Sequence, residues 1–261
     1  MTGINILGAE IDGLDMVETI CCIDNYIKLG RESRAHNEKK KSAEDARSIV
    51  HHIITLNAEI LYNAQSDEEL MRIIKKADLI TPDGSGTVWG IKQLTGRDVD
   101  RVTGIDLMTE ICRQSKSNDW KVFLFGGKPG IADEAGRNLE DDYGTKIAGM
   151  LNGYFSDEDE ASIVERINDS DTDVLFVALG APKQEIWIDK YRDVLNVPVV
   201  IGVGGSFDVI SGQVERAPQF FQKMGLEWLW RLIKEPWRWK RMMALPKFML
   251  LIKRTKRKKL V

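Results

Sequence analysis

The sequence predicts an α/β protein, a parallel sheet with helices on both faces, followed by a basic helical appendage. Three observations predict it. Apolar runs of strand length, such as "KVFLF" (121–125), "DVLFVALG" (173–180) and "VPVVIGVGG" (197–205), lack the alternation of a sheet with one wet face, so both faces are covered. Helically patterned stretches separate these runs, the order that gives parallel strands joined by crossover helices. Charge is also divided along the chain. Residues 223–261 carry 13 Lys/Arg against two Asp/Glu, whereas the preceding 222 residues carry 24 against 38. We therefore expect a Rossmann-like α/β unit over residues 1–217 and a basic, Trp-rich helical appendage over 218–261.

Taken in order, "INILGAEI" (4–11) reads as the first strand, and a helix is expected over about 15–29. Residues 31–48, "RESRAHNEKKKSAEDARS", are polar and read as a solvated connection. "HHIITLNAEI" (51–60) is a strand running into a helix, and Ser66 with Glu69 fits a capping box that opens the next one. "DLITPDG" (78–84) is a strand ending in a turn, with helical material up to about 117. The strand from 121 runs into glycines, and "IADEAGRNLEDDYG" (131–144) is a helix with a glycine stop. Ser156 caps a helix over 157–169, and the strand–turn–helix plan then repeats twice. From about 218 the chain reads as helix, interrupted at Pro236 and Pro246.

Composition sets outer limits. Hydrophobic residues at 43% and charged residues at 30% describe a folded globular chain rather than a disordered one. No run reaches the ~18 apolar residues of a transmembrane helix, and the N-terminus lacks the basic start and apolar core of a signal peptide. Three cysteines, two of them adjacent, fit neither a disulfide framework nor a zinc spacing, which points to a reducing cytoplasm.

In a parallel sheet the C-terminal ends of the strands share one edge, where ligands bind. The loops "TLNAE", "TPDGSG", "FGGKPG", "ALGAPKQE" and "GVGGSFD" are expected to converge there. Gly126, Gly127, Gly204 and Gly205 let backbone approach a ligand, Asp208 closes the last loop, and helix N-termini offer N–H groups to phosphate. Neither the dinucleotide fingerprint nor the P-loop pattern occurs, which disfavours nicotinamide enzymes and P-loop kinases. "DTD" (171–173) spells a metal-holding D-x-D, but it precedes a strand and so is expected at the opposite edge, solvated. His51 and His52 alternate sides of a strand and His36 lies in the polar connection, so no metal site is expected. "DGSGT" and "GGSFD" match a nucleophile elbow only loosely, with no well-placed histidine after them.

What remains is Asp83, between Pro82 and Gly84. It is either turn chemistry, bonded to its own backbone, or a general base for an acceptor hydroxyl. Thr55, Asn57 and Gln184 are polar groups suited to positioning sugar or phosphate.

The appendage has Leu226, Leu229, Trp230 and Ile233 at helical spacing, then Trp237, Arg241, Leu245 and Phe248. Tryptophan beside Lys and Arg suits a membrane interface, and "KRTKRKK" (253–259) adds roughly 1 kcal/mol per cation near an anionic surface. The alternatives are a basic helix packed on an acidic body, a disordered end, or a nucleic-acid surface. The aliphatic content favours lipid over nucleic acid. Arg231, Arg238 and Arg241, seven and three residues apart, fall near one face of a continuous helix. They are either surface residues or a grip for a diphosphate.

"TLNAEI", "TPDGSG", "RVTGIDL", "FLFGGKPG", "ALGAPKQEIWI", "GVGGSFDVISGQVERAP" and "GLEWLWRLIKEPWR" together resemble the WecG/TagA/CpsF glycosyltransferase family. The resemblance runs from "LGAEIDG" to the tail, with only 31–48 longer than usual. It implies an inverting transferase that uses neither metal nor cofactor. Such an enzyme moves a sugar, most typically N-acetylmannosamine, from a UDP-sugar onto a polyprenyl-diphosphate-linked GlcNAc at the cytoplasmic face of the membrane. Transfer of N-acetylmannosaminuronic acid or a hexose into capsule or exopolysaccharide is the alternative within the family. The resemblance further implies Asp83 as base, Thr55 and Asn57 in the sugar site, and Arg101 and Gln184 as other active-site groups. It implies that Arg231, Arg238 and Arg241 close the site over the diphosphate once the appendage docks at the membrane. Exposed apolar surface would serve a second subunit as well as lipid, so a homo-oligomer stays open. Two rival readings remain: a nucleotide-sugar epimerase or oxidoreductase, and a non-enzymatic membrane scaffold.

Overall fold

A computed structural model describes residues 3–37 and 49–259. The chain opens with a hairpin, β1 (Ile4–Ile6) and β2 (Ala9–Ile11), paired antiparallel. Leu7 and Gly8 between them both have positive φ, 52° and 90°, the conformation of a type I′ turn. Residues 4–11 are thus a hairpin and not the first strand of the parallel sheet. The signal was present in the alternation of buried and exposed residues in "INI" and "AEI".

Helix α1 (Met16–Asn37) runs well past the expected end near 29. The start of the polar stretch is helical because its arginines find partners. Arg31 Nε donates to Asp173 at 2.8 Å, and Arg34 reaches Asp171 at 3.2 Å and the Thr172 carbonyl. The remainder, residues 38–48, lies outside the described residues. The same contacts correct the reading of "DTD". It stands at the far edge of the sheet as expected, but Asp173 is buried rather than solvated, and it also accepts from the Lys121 N–H at 2.9 Å.

The remaining elements follow in α/β order. They are β3 (His51–Leu56), α2 (Ala58–Asn63), α3 (Glu68–Lys76), β4 (Leu79–Pro82), α4 (Gly84–Thr95) and α5 (Gly104–Asn118). Next come β5 (Lys121–Gly126), α6 (Ile131–Tyr143), β6 (Lys146–Leu151), α7 (Glu160–Asn168), β7 (Val174–Ala178) and α8 (Lys183–Tyr191). Then β8 (Val199–Gly202), α9 (Ser206–Ile210), α10 (Gln219–Lys223), α11 (Glu227–Lys234), α12 (Trp239–Met242) and α13 (Ala244–Lys259) complete the chain. Helix α3 is capped by Asp67, whose carboxylate accepts from the Leu70 N–H at 2.9 Å, one residue later than the expected Ser66. Ser156 does form its capping box, with Asp159, through a 3-10 turn that leads into α7.

Six strands form one parallel sheet in the order β4-β3-β8-β7-β5-β6. Ile53, Val174, Phe176, Val199 and Ile201 face one layer, with Ile23 of α1, Leu107 and Ile111 of α5 and Ala135 of α6. Their neighbours along the strands face the other side. Ile54, Leu56 and Ile80 pack against Leu61, Ile73, Phe248 and Ile252, while Leu175, Val177 and Val200 pack against Ile167 and Trp187. The free edge of β4 is covered by the hairpin. Asp12 donates its N–H to the Ile80 carbonyl, and its carboxylate accepts from the Ile80 N–H, both at 2.9 Å.

The end of the appendage is built into this core. Helix α13 lies across α2 and α4 and buries Phe248 and Ile252 completely. Gly90 of α4 makes room for it, since a Cβ there would stand 3.0 Å from the Phe248 ring. Pro246 does not interrupt α13, because it falls in the first turn, where no intrahelical N–H is required. Pro236 does begin a break, a 3-10 turn over Pro236–Arg238. No helix among the described residues is long and apolar enough to cross a membrane.

Candidate active site

A cavity of about 470 Å³ opens at the C-terminal ends of β3, β4, β7 and β8 and is closed from the far side by α11 and α12. Asp83 stands in its wall, at the N-cap position of α4, with φ −92° and ψ 131°. An aspartate at this position ordinarily accepts from the N–H groups of the first helical turn. Here it makes no such bond. Its backbone N–H donates to the Leu56 carbonyl at 3.0 Å, and Gly84 beside it takes φ 80°, so the backbone alone shapes the bend. The carboxylate is left with one long contact, accepting from the Gly104 N–H at 3.5 Å.

The environment makes this carboxylate unusually basic. Burial raises its pKa to about 7, against the opposing pull of the Gly104 N–H and the Arg101 charge. Glu227 and Asp106 push it further up. A carboxylate poised near neutrality is what proton abstraction from a hydroxyl needs.

Ten further residues expected in the site line the same cavity: Thr55, Asn57, Arg101, Gln184, Gly204, Gly205, Asp208, Arg231, Arg238 and Arg241. Thr55, the penultimate residue of β3, donates its hydroxyl to the Gly202 carbonyl at 3.1 Å, which ties β3 to β8. Asn57 caps α2 through its carboxamide oxygen, accepting from the Ile60 N–H at 3.0 Å. Its amide N–H groups stay available to a ligand. Gln184 is buried and held at both ends. Its oxygen accepts from the Gly204 N–H at 3.1 Å and its nitrogen donates to Glu185 at 2.9 Å.

Two expected residues are elsewhere. Gly126 and Gly127 do not line the cavity; they make a close crossing of backbones. Gly127 donates to the Ala178 carbonyl at 3.0 Å and accepts from the Gly153 N–H at 2.8 Å. A Cβ on Gly126, whose φ is 136°, would collide with the Ala178 backbone.

The three arginines do converge, but not from one continuous helix. Arg231 is on α11, Arg238 ends the 3-10 turn and Arg241 is on α12, the chain bending at Glu235 with φ −127° and ψ 72°. Glu235 lies 3.2 Å from Arg231 Nε and 2.8 Å from Arg238 Nε. Arg241 pairs with Glu59 at 2.8 Å, and Arg231 also donates to the Gly205 carbonyl at 3.4 Å.

Sequence reasoning missed the charged partners of this site. Glu227 pairs with Arg101 at 2.5 Å, and Arg216 pairs with Asp106 at 2.5 Å and approaches Glu227 at 3.9 Å. Ser85, next to the Asp83 turn, donates to the Gly225 carbonyl at 2.6 Å and so tethers the start of α11. The available signal was charge close to the loops of the sheet edge and the start of the appendage, Arg216 in "QVERAP" and Glu227 in "GLEW". Among the described residues no group of three or more His, Cys, Asp or Glu is placed to hold a metal ion.

A parallel sheet with a polar cavity at its strand C-termini defines an α/β protein of the ligand-binding class. Residues 4–260 match the model of the glycosyl transferase WecG/TagA/CpsF family, and the chain belongs to that family. Two relatives carry the name N-acetylglucosaminyldiphosphoundecaprenol N-acetyl-beta-D-mannosaminyltransferase. The protein from Bacillus spizizenii strain W23 is 39% identical over 198 residues, 75% of this chain and 76% of its own. That from Bacillus subtilis strain 168 is 37% identical over 209 residues, 79% of this chain and 81% of its own. The protein is therefore a glycosyltransferase, and neither the oxidoreductase or epimerase reading nor the scaffold reading survives.

Proposed function

We propose that this glycosyltransferase moves N-acetylmannosamine from a UDP-sugar to a polyprenyl-diphosphate-linked GlcNAc, with inversion and with Asp83 as base. The names of the two relatives support the transferred sugar and the acceptor. One observation carries the mechanism: Asp83 occupies a capping position without capping, and burial raises its pKa to about 7. The carboxylate takes the proton of an acceptor hydroxyl, whose oxygen bonds to the anomeric carbon. The bond from that carbon to the diphosphate breaks, and UDP leaves with the electron pair. A single displacement of this kind inverts the centre.

Departure of UDP places negative charge where a transferase must supply countercharge. Arg231, Arg238 and Arg241 line the cavity and suit this task. The outer face of the appendage supports a position on the inner surface of the membrane, where a polyprenyl acceptor resides. Phe220, Met224, Ile233, Trp237, Trp239 and Met243 are exposed in a segment rich in lysine and arginine, the composition of an interfacial surface.

The test is Asp83→Asn, assayed by UDP release with a panel of UDP-sugars and a short-chain lipid-diphosphate-GlcNAc acceptor. The variant is expected to bind UDP and to lose transfer by at least ~100-fold. Near-normal turnover would overturn the assignment of the base, and preference for another UDP-sugar would overturn that of the donor.

A further inference from the structure

Around Asp83 the chain assembles two cations and two anions. Arg101 precedes α5, Asp106 stands in the first turn of α5, Arg216 lies before α10, and Glu227 begins α11. They are linked in a row by ion pairs: Arg101 to Glu227 at 2.5 Å, Glu227 to Arg216 at 3.9 Å, Arg216 to Asp106 at 2.5 Å. All but Asp106 line the cavity. Their formal charges cancel. The other cations of the cavity are engaged separately, Arg231 and Arg238 by Glu235, Arg241 by Glu59 and Lys234 by Glu215.

We propose that Glu227 is a positioning residue that neutralises Arg101 and so sets the strength of Asp83 as a base, making that strength depend on the seated appendage. The proposal rests on the reading of Asp83 as base. Of the four charges, Glu227 alone comes from α11. Without it the cluster carries one excess positive charge beside the carboxylate. An uncompensated guanidinium lowers the pKa of a nearby carboxylate, by about 1–3 units when the two are in contact and by less at longer range, and a carboxylate so stabilised is a weaker acceptor of a proton. Arg101 and Glu227 act on Asp83 in opposite senses, as this account requires. The seat of Glu227 is itself anchored. Gly225, with φ 69°, sits against Ser85, which donates to its carbonyl at 2.6 Å. The tether joins α11 to the turn that carries Asp83.

The experiment uses full-length Glu227→Gln, which keeps an acceptor for Arg101 and removes the charge. The acid limb of the kcat/KM profile is expected to move down, by up to about one pH unit, with a lower kcat on the plateau. A carboxyl carbon NMR titration of Asp83 in the free enzyme should move the same way. Glu227→Asp is expected to restore the wild-type limb. Arg216→Gln, read by the same titration, should shift Asp83 in the opposite direction, which guards against a Glu227 variant that fails to fold. An unmoved titration in Glu227→Gln, whatever its activity, or a downward shift in Arg216→Gln, overturns the proposal and leaves Glu227 a mechanical strap. Full turnover of Asp83→Asn would instead overturn the base reading beneath it.

Discussion

If Asp83 is kept basic by burial, the fold is less stable for carrying it, and removing its charge should stabilise the protein in a pH-dependent way. The perturbation is Asp83→Asn, close in shape to the protonated side chain. In the unfolded chain the carboxyl titrates near its ordinary value of 3.8, whereas in the native protein it titrates at about 7. Between these values the native state binds the extra proton, so wild-type stability falls as pH rises from about 4 to 7 and then levels off. The difference of about three pH units, at ~1.4 kcal/mol each, sets an upper bound of about 4 kcal/mol. Asp83 opens onto the cavity and water reaches it there, so about 2 kcal/mol is the reasonable expectation. Urea denaturation at pH 4.5, 6 and 8 measures this directly. Asp83→Asn should be near wild type at the lowest pH and more stable by about 2 kcal/mol at the highest. A stability difference that does not change with pH, or one favouring wild type at pH 8, would refute the reasoning.

Two further predictions concern the appendage. Phe248→Ala should cost about 3–5 kcal/mol in the same assay, because the ring is fully buried against α4; a cost below ~1 kcal/mol would show that α13 is loosely held. Trp237→Ala with Trp239→Ala should change stability by no more than ~0.5 kcal/mol, since both are exposed. The pair should nevertheless weaken binding to vesicles containing anionic phospholipid, measured by flotation, and unaltered flotation would count against a membrane-facing surface.

The parallel sheet was legible because its strands are buried on both faces and read as unbroken apolar runs, and those runs are β3, β5, β7 and β8. The hairpin was not, although "INILGAEI" alternates, because one run spans both strands and the turn is Leu7–Gly8 rather than a stronger turn pair. Helix α1 was underestimated because its last turns are polar and are held by tertiary ion pairs to Asp171 and Asp173, more than a hundred residues away. The same distance hid the partners of the site. Local sequence marks Asp83, Thr55 and Asn57, since Asp83 and Asn57 sit just past a strand and Thr55 lies near the end of one. Nothing local links Arg101 to Glu227 or Arg241 to Glu59. Gly126 and Gly127 misled for a related reason. Glycine after a strand serves a ligand or a neighbouring backbone equally well, and here Ala178 and Gly153 take the space.

The uneven charge of the sequence resolves into two sets of cations in one segment, one lining the cavity and one exposed on α13. Facing the cavity, the four cations of the appendage are held by three carboxylates: Glu235 is shared by Arg231 and Arg238, Glu59 holds Arg241, and Glu215 holds Lys234. Matching is needed because these groups crowd one another. Burial, and then the neighbouring Arg231 charge, lower the pKa of Arg238. Two of the three carboxylates, Glu59 and Glu215, come from the acidic body, so the negative excess of residues 1–222 is partly the counterpart of the tail. Further along, Lys253, Arg254, Arg257 and Lys258 of α13 are exposed, and no ion pair to a described residue engages them. A segment built only to bind lipid would not require inward arginines, and one built only to complete a site would not require outward ones. On the proposed reading, a segment anchored by Phe248 and Ile252 would serve both ends, seating the cations proposed to meet the diphosphate together with those proposed to meet a lipid surface.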